Sequence, residues 1–352
     1  MKIRFLGAAG TVTGSRYLLS HNSTKILIDC GLFQGVKVIR SRNWKPFPIS
    51  VNDIDAVVLT HAHLDHSGYL PRLYREGFRG KVWCTPATKA LADIMLPDSG
   101  HIQEEDARHA NRHGYSRHNP AEPLYTAEDA EQSLRLFRER DYHQPISIGP
   151  FQITFVSSGH ILGAASVRVE CEGRLITFSG DVGRFNDPVM NPPEPLINTE
   201  WLVLESTYGD RLHAEEDPAE TLASIISKTA SRGGTVLIPA FAVGRAQVLM
   251  YLLTTLMAAN KIPRMPIYLD SPMAIDATDV FRHFNREHRL SRSQCETLCS
   301  HVTFVRSAAD SQTLSGNNHP KVIIAGAGML NGGRILHHLQ AFGGDWRNAL
   351  VI

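Results

Sequence analysis

Length, composition and charge narrow the class of protein. The chain has 352 residues, of which 43% are hydrophobic, and its 36 Lys and Arg residues nearly cancel its 35 Asp and Glu residues. These values are typical of a globular protein long enough for two domains, and no apolar run reaches membrane-spanning length. The near-neutral charge excludes nucleic-acid binding through overall charge, so any such binding requires a local basic surface.

The N-terminus and the cysteines indicate the compartment. Residues 2–6 form a strand-like run without the apolar core of a signal peptide, so we expect a cytoplasmic protein without a membrane partner. The five cysteines are scattered and odd in number, which is typical of a reducing compartment. Histidine occurs 17 times and is the commonest metal ligand, which prompts a search for a metal site.

Short strands dominate the first 205 residues. Apolar runs predict strands at 25–29, 56–60, 151–156, 165–171, 174–178 and 202–204. Glu172 and Gly173 predict a tight hairpin turn. The run at 56–60 has no polar alternation, so we expect both of its faces to be covered. Helices are predicted from Ser67 to near Gly77 and over 88–111.

From residue 206 the pattern alternates helix and strand. Asp217, followed by Pro218 and Glu220, predicts a helix start with an N-cap. Further predicted elements are strands at 235–238, 267–269, 302–305 and 322–325, and helices at 245–258, after Pro272 and from Gly333. This alternation predicts a parallel, doubly wound α/β domain.

The densest cluster of candidate metal ligands is the sequence HAHLDH at 61–66. His61 and His63 lie two residues apart at a strand end and can point the same way, while Asp65 and His66 turn toward a neighbouring position. Zinc takes imidazole nitrogen and carboxylate oxygen, and catalytic zinc sites keep one position open for water. Because four such side chains crowd a strand end unfavourably without a metal, the cluster predicts a metal centre.

The segment at 61–66 resembles the H-x-H-x-D-H signature of the metallo-β-lactamase superfamily. Three further residues match motifs of that superfamily in order, each after a predicted strand: Asp29, His160 and Asp181. The resemblance implies an αββα sandwich over residues 1–205.

The resemblance also implies two zinc ions, with manganese as the alternative metal. The implied ligands are His61, His63 and His160 for one ion, Asp65 and His66 for the other, and Asp181 as a bridge. Asp29 would orient the ligand loop from behind. A bridging water, made acidic by the metals, would attack phosphorus as hydroxide.

The second half resembles β-CASP nucleases. The matching segments are ESTYG at 205–209, PAFAVGRAQ at 239–247, YLDSPMA at 268–274 and AGMLNGGR at 327–334. They imply a β-CASP domain over 206–352 and look closest to the stand-alone prokaryotic members that cut RNA. The implied activity is hydrolysis of single-stranded RNA in a cleft between the domains, leaving a 3′-hydroxyl and a 5′-phosphate. Glu205 would help to fix the metal geometry, and it joins Asp29, Asp65 and Asp181 as a candidate catalytic residue.

Two arginines are candidate RNA-binding residues. Arg245 begins a predicted helix, and Arg334 follows a Gly-Gly turn that begins another. Amide groups at a helix start and a nearby guanidinium form a phosphate site, although an exposed helix residue is the alternative for each. The His- and Arg-rich run at 101–118 is expected to be a solvated helix rather than an RNA-binding lip.

Two histidines typical of active β-CASP nucleases, one proposed as a general acid and one as a ligand of the second metal, have no match in the sequence. Residues 349–352 resemble the start of a buried strand, so we expect a truncated chain whose metallo-β-lactamase domain lacks its last strands. His337 and His338 do not match the two motifs and are expected to be a helix cap or surface pair.

Several alternatives stay open at this point. A DNA-directed nuclease of the same family, or an enzyme acting on a small phosphodiester, would share the chemistry. A catalytically silent RNA-binding member is favoured by the unmatched histidines and opposed by the intact upstream ligands. The β-CASP segments disfavour a lactamase or thioesterase. A homodimer is also compatible with the sequence.

Overall fold

A computed structural model describes residues 1–116, 118–212, 217–326, 330 and 332–352, and it divides the chain into two units. Unit 1 comprises Met1–Asp187 and Asn191–Asp210, and unit 2 comprises Pro188–Met190 and Arg211–Ile352. The domain boundary predicted at 205/206 lies a few residues before the end of unit 1. Among the described residues, no helix is both long and apolar enough to cross a membrane.

Unit 1 contains two sheets and several helices. Its strands are β1 Lys2–Phe5, β2 Tyr17–His21, β3 Thr24–Ile28, β4 Ala56–Val58, β5 Lys81–Cys84, β6 Phe137–Glu139, β7 Ile146–Ile148, β8 Phe151–Ser157, β9 Ala165–Cys171, β10 Arg174–Phe178 and β11 Trp201–Val203. Its helices are α1 Lys37–Arg40, α2 Leu64–Ser67, α3 Leu70–Arg75, α4 Pro86–His113 and α5 Ala127–Leu134, with 3₁₀ turns at Ser41–Trp44 and Val51–Asp53. In the described chain, one sheet has the order β1-β2-β3-β4-β5-β6 and the other β11-β10-β9-β8-β7.

The central strand β4 illustrates why the two sheets form a sandwich. All three of its residues are buried: Ala56 and Val58 pack into the core between the two sheets, and Val57 packs against the helices on the other face. Successive side chains of a strand point to opposite faces, so a continuous apolar run fills two cores at once. The prediction that both faces of this run are covered is confirmed.

The β9–β10 hairpin forms at the predicted turn. Glu172 and Gly173 both have positive φ, 51° and 75°, as a two-residue hairpin turn of the I′ type requires. The strands β2, β5, β6 and β7 and the helix α5 were not predicted individually. They are short, three to eight residues each, so each offers too few positions for a clear hydrophobic period.

Unit 2 contains a parallel sheet flanked by helices. Its strands are β12 Thr235–Ala240, β13 Ile267–Asp270, β14 Val302–Phe304, β15 Lys321–Gly326 and β16 Ala349–Leu350. Its helices are α6 Pro218–Ser231, α7 Arg245–Ala258, α8 Pro272–His283, α9 Arg292–Ser300, α10 Ala308–Ser315 and α11 Arg334–Phe342. Within the described residues, the strand order is β14-β13-β15-β12-β16, and every pair is parallel.

The helix start predicted at Asp217 is present in unit 2. The Asp217 carboxylate accepts a hydrogen bond from the Ala219 amide at 2.8 Å and caps α6, as an N-cap side chain does. The predicted doubly wound α/β arrangement is confirmed. The expectation of a buried strand at 349–352 is wrong. The strand β16 covers only Ala349–Leu350, and none of the four residues is buried, with Leu350 42% and Ile352 86% exposed.

Candidate metal centre

The candidate ligands follow the ends of strands from both sheets of unit 1. His61 follows β4, His160 follows β8, and Asp181 follows β10. Because β8 and β10 are both antiparallel to β9, they end at the same edge of their sheet. The Ala165 amide donates to the Thr60 carbonyl oxygen at 2.8 Å and joins this edge to the strand end of the other sheet.

Four side chains converge with the spacing of a metal site. The His63 Nδ1 atom lies 3.1 Å from His61 Nε2 and 3.2 Å from His160 Nε2. The Asp181 Oδ2 atom lies 3.7 Å from His61 Nε2 and 3.4 Å from His160 Nε2. Zinc–nitrogen bonds of about 2.0–2.1 Å place tetrahedral donors about 3.3 Å apart, so this donor set fits a zinc-sized ion without rearrangement.

Asp181 faces a second group of ligands with its other oxygen. Its Oδ1 atom lies 3.2 Å from His66 Nε2, which lies 3.8 Å from Asp65 Oδ2. One carboxylate thus separates a three-histidine set from an imidazole–carboxylate set. The arrangement is suited to a carboxylate shared between two cations.

Asp29 is the hydrogen-bonding centre behind the ligands. It is fully buried, and its Oδ2 atom accepts from His66 Nδ1 at 2.7 Å. Its carboxylate also accepts from the Thr60 amide at 2.8 Å and from the Ser15 hydroxyl at 3.1 Å. The Asp29–His66 bond assigns the proton to Nδ1 and directs Nε2 toward Asp181, as partners behind a metal ligand do.

Burial keeps the three-histidine set neutral. It lowers the pKa of His61 well below its ordinary value, with His66 adding to the effect, and lowers the pKa of His63 to about 3. Burial also lowers the pKa of His160. All three imidazoles are therefore neutral at pH 7, which is the form that binds a metal.

His66 and the acids carry the charge of the site. Burial opposes protonation of His66, but the carboxylates of Asp29 and Asp181 outweigh it and raise its pKa well above the ordinary value. Burial would raise the pKa of Asp181, but His66 outweighs that effect and lowers it. Burial raises the pKa of Asp65. The proton on His66 therefore compensates the charge of the two carboxylates that flank it, Asp29 and Asp181.

A cavity of about 280 Å³ opens beside the second ligand group. His66, Asp181 and Glu205 line it together with the loop that contains Thr11 and Ser15. The Glu205 amide donates to the Ser179 hydroxyl at 3.0 Å. Hydroxyls, amides and carboxylates around a concave space form a surface for a polar substrate.

The comparisons with known proteins identify the family. The family model of the Metallo-beta-lactamase superfamily matches residues 9–224, and that of the Beta-Casp domain matches residues 246–352. The chain belongs to the β-CASP branch of the metallo-β-lactamase superfamily.

The sequence of this β-CASP protein is similar to those of three characterised relatives over nearly its whole length. It is 39% identical to ribonuclease TTHA0252 of Thermus thermophilus, over 100% of this chain and 78% of the relative. It is 33% identical to the transcription termination factor FttA of Methanosarcina mazei, over 100% of this chain and 55% of the relative. It is 29% identical to the endoribonuclease YSH1 of Eremothecium gossypii, over 99% of this chain and 46% of the relative. The chain thus spans about half the length of the latter two.

The candidate RNA-binding arginines of this β-CASP protein lie in different surroundings. Arg245 is exposed at the first position of α7. Arg334 forms an ion pair with Asp270 at 2.5 Å and donates to the Val305 carbonyl oxygen at 3.0 Å. Of the motif at 327–334, residues 327–329 and 331 lie outside the described part.

The expectation for His338 is wrong. His338 is fully buried; its Nε2 atom lies 2.7 Å from Asp270 Oδ2, and its Nδ1 atom lies 2.9 Å from the Ser315 hydroxyl. Helical periodicity could have placed it on the same buried face as Ile335 and Phe342. It belongs to a network inside the Beta-Casp domain rather than to a helix cap.

Sequence reasoning also missed Ser15 and Thr60, which bind Asp29. Thr60 donates from its hydroxyl to Asp29 Oδ2 at 3.0 Å and also contacts His61 Nδ1 at 3.1 Å. Its position directly before the histidine motif was the available signal.

Proposed function

We propose that this β-CASP protein is a metal-dependent ribonuclease that hydrolyses phosphodiester bonds of single-stranded RNA. The observation that carries the proposal is Asp181, whose two oxygens face separate ligand groups 3.2–3.7 Å away. Two cations spaced by a shared carboxylate are the usual arrangement for phosphodiester cleavage. The ribonuclease and endoribonuclease names of two relatives support RNA as the substrate and internal cleavage as the mode.

Two zinc ions fit the proposed ligands, with manganese as the alternative. His61, His63 and His160 would hold one ion, Asp65 and His66 the other, and Asp181 both. When bound, such ions stabilise charge on phosphoryl oxygens and lower the pKa of water. The reaction would leave a 3′-hydroxyl and a 5′-phosphate.

The other side chains have positioning and binding roles in this proposal. Asp29 fixes the His66 ring through the 2.7 Å contact, and its buried charge stabilises the proton on Nδ1. Glu205 lines the cavity next to Asp181 and orients the adjacent turn by accepting from the Thr207 amide at 3.0 Å. Arg245 and Arg334 remain proposed contacts to RNA phosphates, with Arg334 held in place by Asp270.

The direct test is cleavage of an end-labelled single-stranded RNA and its DNA counterpart, with zinc, with manganese and with a chelator. We expect metal-dependent cutting of RNA that His63→Ala abolishes together with metal retention. His101→Ala, which removes an exposed histidine of α4, is the matched control and should leave both unchanged. Cleavage by metal-free protein would overturn the proposal.

Two other outcomes would change the function in a defined way. Preferential cutting of DNA would show that the protein is a DNA-directed nuclease of the same family. RNA binding at low salt without cutting, in protein that retains its metal, would indicate a silent RNA-binding member.

A further inference from the structure

One stretch of unit 1 departs sharply from the balanced charge of the chain. Between Asp29 and Asp53 the sequence contains no acidic residue and several basic ones. The basic residues are Lys37, Arg40, Arg42 and Lys45. We call residues 35–45 the basic loop; it contains α1 and the 3₁₀ turn Ser41–Trp44.

The cations of the basic loop are exposed and unneutralised. All four side chains lie at the surface, and within the described residues none of them forms an ion pair. By contrast, the exposed arginines of α4, Arg108 and Arg112, follow three consecutive acidic residues at 104–106. The positive potential of the basic loop is therefore not cancelled locally.

An aromatic ring accompanies these charges. Trp44 is 56% exposed and lies between Arg42 and Lys45 in sequence. An exposed tryptophan forgoes the stabilisation that burying its large apolar surface would give. Aromatic faces interleaved with cations are the elements with which proteins bind single-stranded nucleic acid, by stacking bases and pairing phosphates.

A buried anchor gives the basic loop a defined shape. Between Arg42 and Trp44, the Asn43 side chain is buried; its Oδ1 atom accepts from the Phe33 amide at 2.9 Å, and its Nδ2 atom donates to the Phe33 carbonyl oxygen at 2.8 Å. The buried guanidinium of Arg16 donates to Asn43 Oδ1 at 3.3 Å and lies 3.9 Å from the centre of the Tyr69 ring. The exposed residues on either side are thus presented from a fixed base.

The base of the basic loop is joined directly to the metal centre. The Leu32 amide donates to the carbonyl oxygen of Leu64 at 2.8 Å, and Leu64 lies within the HAHLDH segment at 61–66. The Gln34 amide donates to the Thr13 hydroxyl at 2.9 Å, and Thr13 belongs to the loop that lines the cavity through Thr11 and Ser15. The loop therefore extends from the same backbone that forms the wall of the site.

We propose that the basic loop is a binding surface for single-stranded RNA outside the catalytic centre. Its cations would contact phosphates, and Trp44 would stack on a base. The inference rests on the proposed ribonuclease function, because the connection to a phosphodiester-cleaving centre favours RNA over an anionic membrane as the partner.

Binding is tested with a fluorescein-labelled, hydrolysis-resistant phosphorothioate oligouridylate by anisotropy at several salt concentrations. Arg40→Gln/Arg42→Gln should weaken binding and reduce the slope of log K against log salt by about 1.4, at about 0.7 for each lost contact to a single strand. Trp44→Ala should weaken binding at least about fivefold with little change in slope. The matched control Arg108→Gln/Arg112→Gln removes the same charge from α4 and should change binding less than about twofold.

A second substrate separates this inference from the proposed function. Bis(p-nitrophenyl) phosphate is too small to span the centre and the basic loop, so loop variants should hydrolyse it at the wild-type rate while binding RNA weakly. If the wild type hydrolyses neither this ester nor RNA, the proposed function fails. The anisotropy results would still show whether the basic loop binds RNA. The inference is overturned by equal effects of the loop and control variants, or by unchanged RNA binding.

A separate experiment tests whether the basic loop binds an anionic membrane instead of RNA. Wild-type protein and the Arg40→Gln/Arg42→Gln variant are sedimented with phosphatidylglycerol-containing vesicles. No sedimentation is expected from either. Vesicle binding that the variant loses, with RNA binding unchanged, would replace RNA by a lipid surface.

Discussion

Asp29 Oδ2 and His66 Nδ1 lie 2.7 Å apart, and both side chains are buried. Asp29 is held at a φ of 57°, a left-handed conformation that Asp and Asn tolerate better than most residues. The pair ties the end of β3 to the ligand motif that follows β4. Its geometry makes the orientation of a ligand depend on a residue 37 positions earlier.

The first prediction concerns Asp29→Asn. The amide keeps the size and the backbone preference of Asp29 but removes the charge that stabilises the His66 proton on Nδ1. We expect metal affinity to fall about 10- to 100-fold, the usual effect of losing a partner behind a ligand. Competition with a fluorescent zinc chelator measures it. Asp53→Asn, which weakens an exposed pair with Lys25, should leave metal affinity within about twofold.

The second prediction concerns Asp181→Asn. A neutral amide cannot offer two anionic oxygens, so both ligand groups lose their shared partner. The loss of cleavage should exceed the roughly 10- to 100-fold effect of residues behind the ligands, and bound metal measured by mass spectrometry should fall. Asp93→Asn, at an exposed position of α4, is the control. Full metal content and full activity in Asp181→Asn would contradict the proposal that Asp181 binds both metal ions.

The convergence of the candidate metal ligands could be predicted from the sequence because the signals for it are local. Four candidate ligands occur within six residues, and Asp29, His160 and Asp181 each follow an apolar run. Strand ends that share a sheet edge bring such residues together. The fold was predictable for the same reason, since long apolar runs and capped helices mark their own positions.

The remaining features depend on packing between distant segments. Asp270 and His338 are 68 residues apart, and no periodicity of either segment specifies that they meet. The net charge of the basic loop is visible in the sequence, but the sequence does not show that Asn43 is buried and the neighbouring Trp44 is exposed. An aromatic residue in an apolar-rich stretch would otherwise be expected in the core.

The third prediction concerns Gly31, which packs against the ligand loop. A Cβ atom at Gly31 would lie 1.5 Å from the Asp65 carbonyl oxygen, a backbone atom. Gly31→Ala therefore has to displace the loop that carries Asp65 and His66, and we expect both lower metal affinity and a loss of about 1–3 kcal/mol in unfolding free energy. Urea denaturation and metal competition measure the two effects. The control is Gly344→Ala, which should leave metal affinity unchanged because a Cβ atom at Gly344 would contact nothing within 4 Å.

The fourth prediction concerns the buried network of the Beta-Casp domain. Asp270 is fully buried and accepts from His338, Ser311 and Arg334. Burial alone would raise the pKa of Asp270, but these hydrogen bonds, that of His338 first, outweigh it and lower the pKa. Asp270→Asn leaves the Arg334 charge without its partner, so it should cost about 3–5 kcal/mol of unfolding free energy at pH 7.

The pH dependence gives this fourth prediction its sign. A carboxylate with a lowered pKa stabilises the fold above its unfolded-state pKa of about 3.9, and this contribution is lost as the pH falls through the lower folded-state value. Wild type should therefore lose more stability than Asp270→Asn below about pH 4, so the gap between their urea midpoints narrows there. Asp276→Asn, which weakens an exposed pair with Arg306, should keep the wild-type profile. A gap for Asp270→Asn that stays constant from pH 7 to pH 3.5 would show that the charge of Asp270 contributes nothing to the fold.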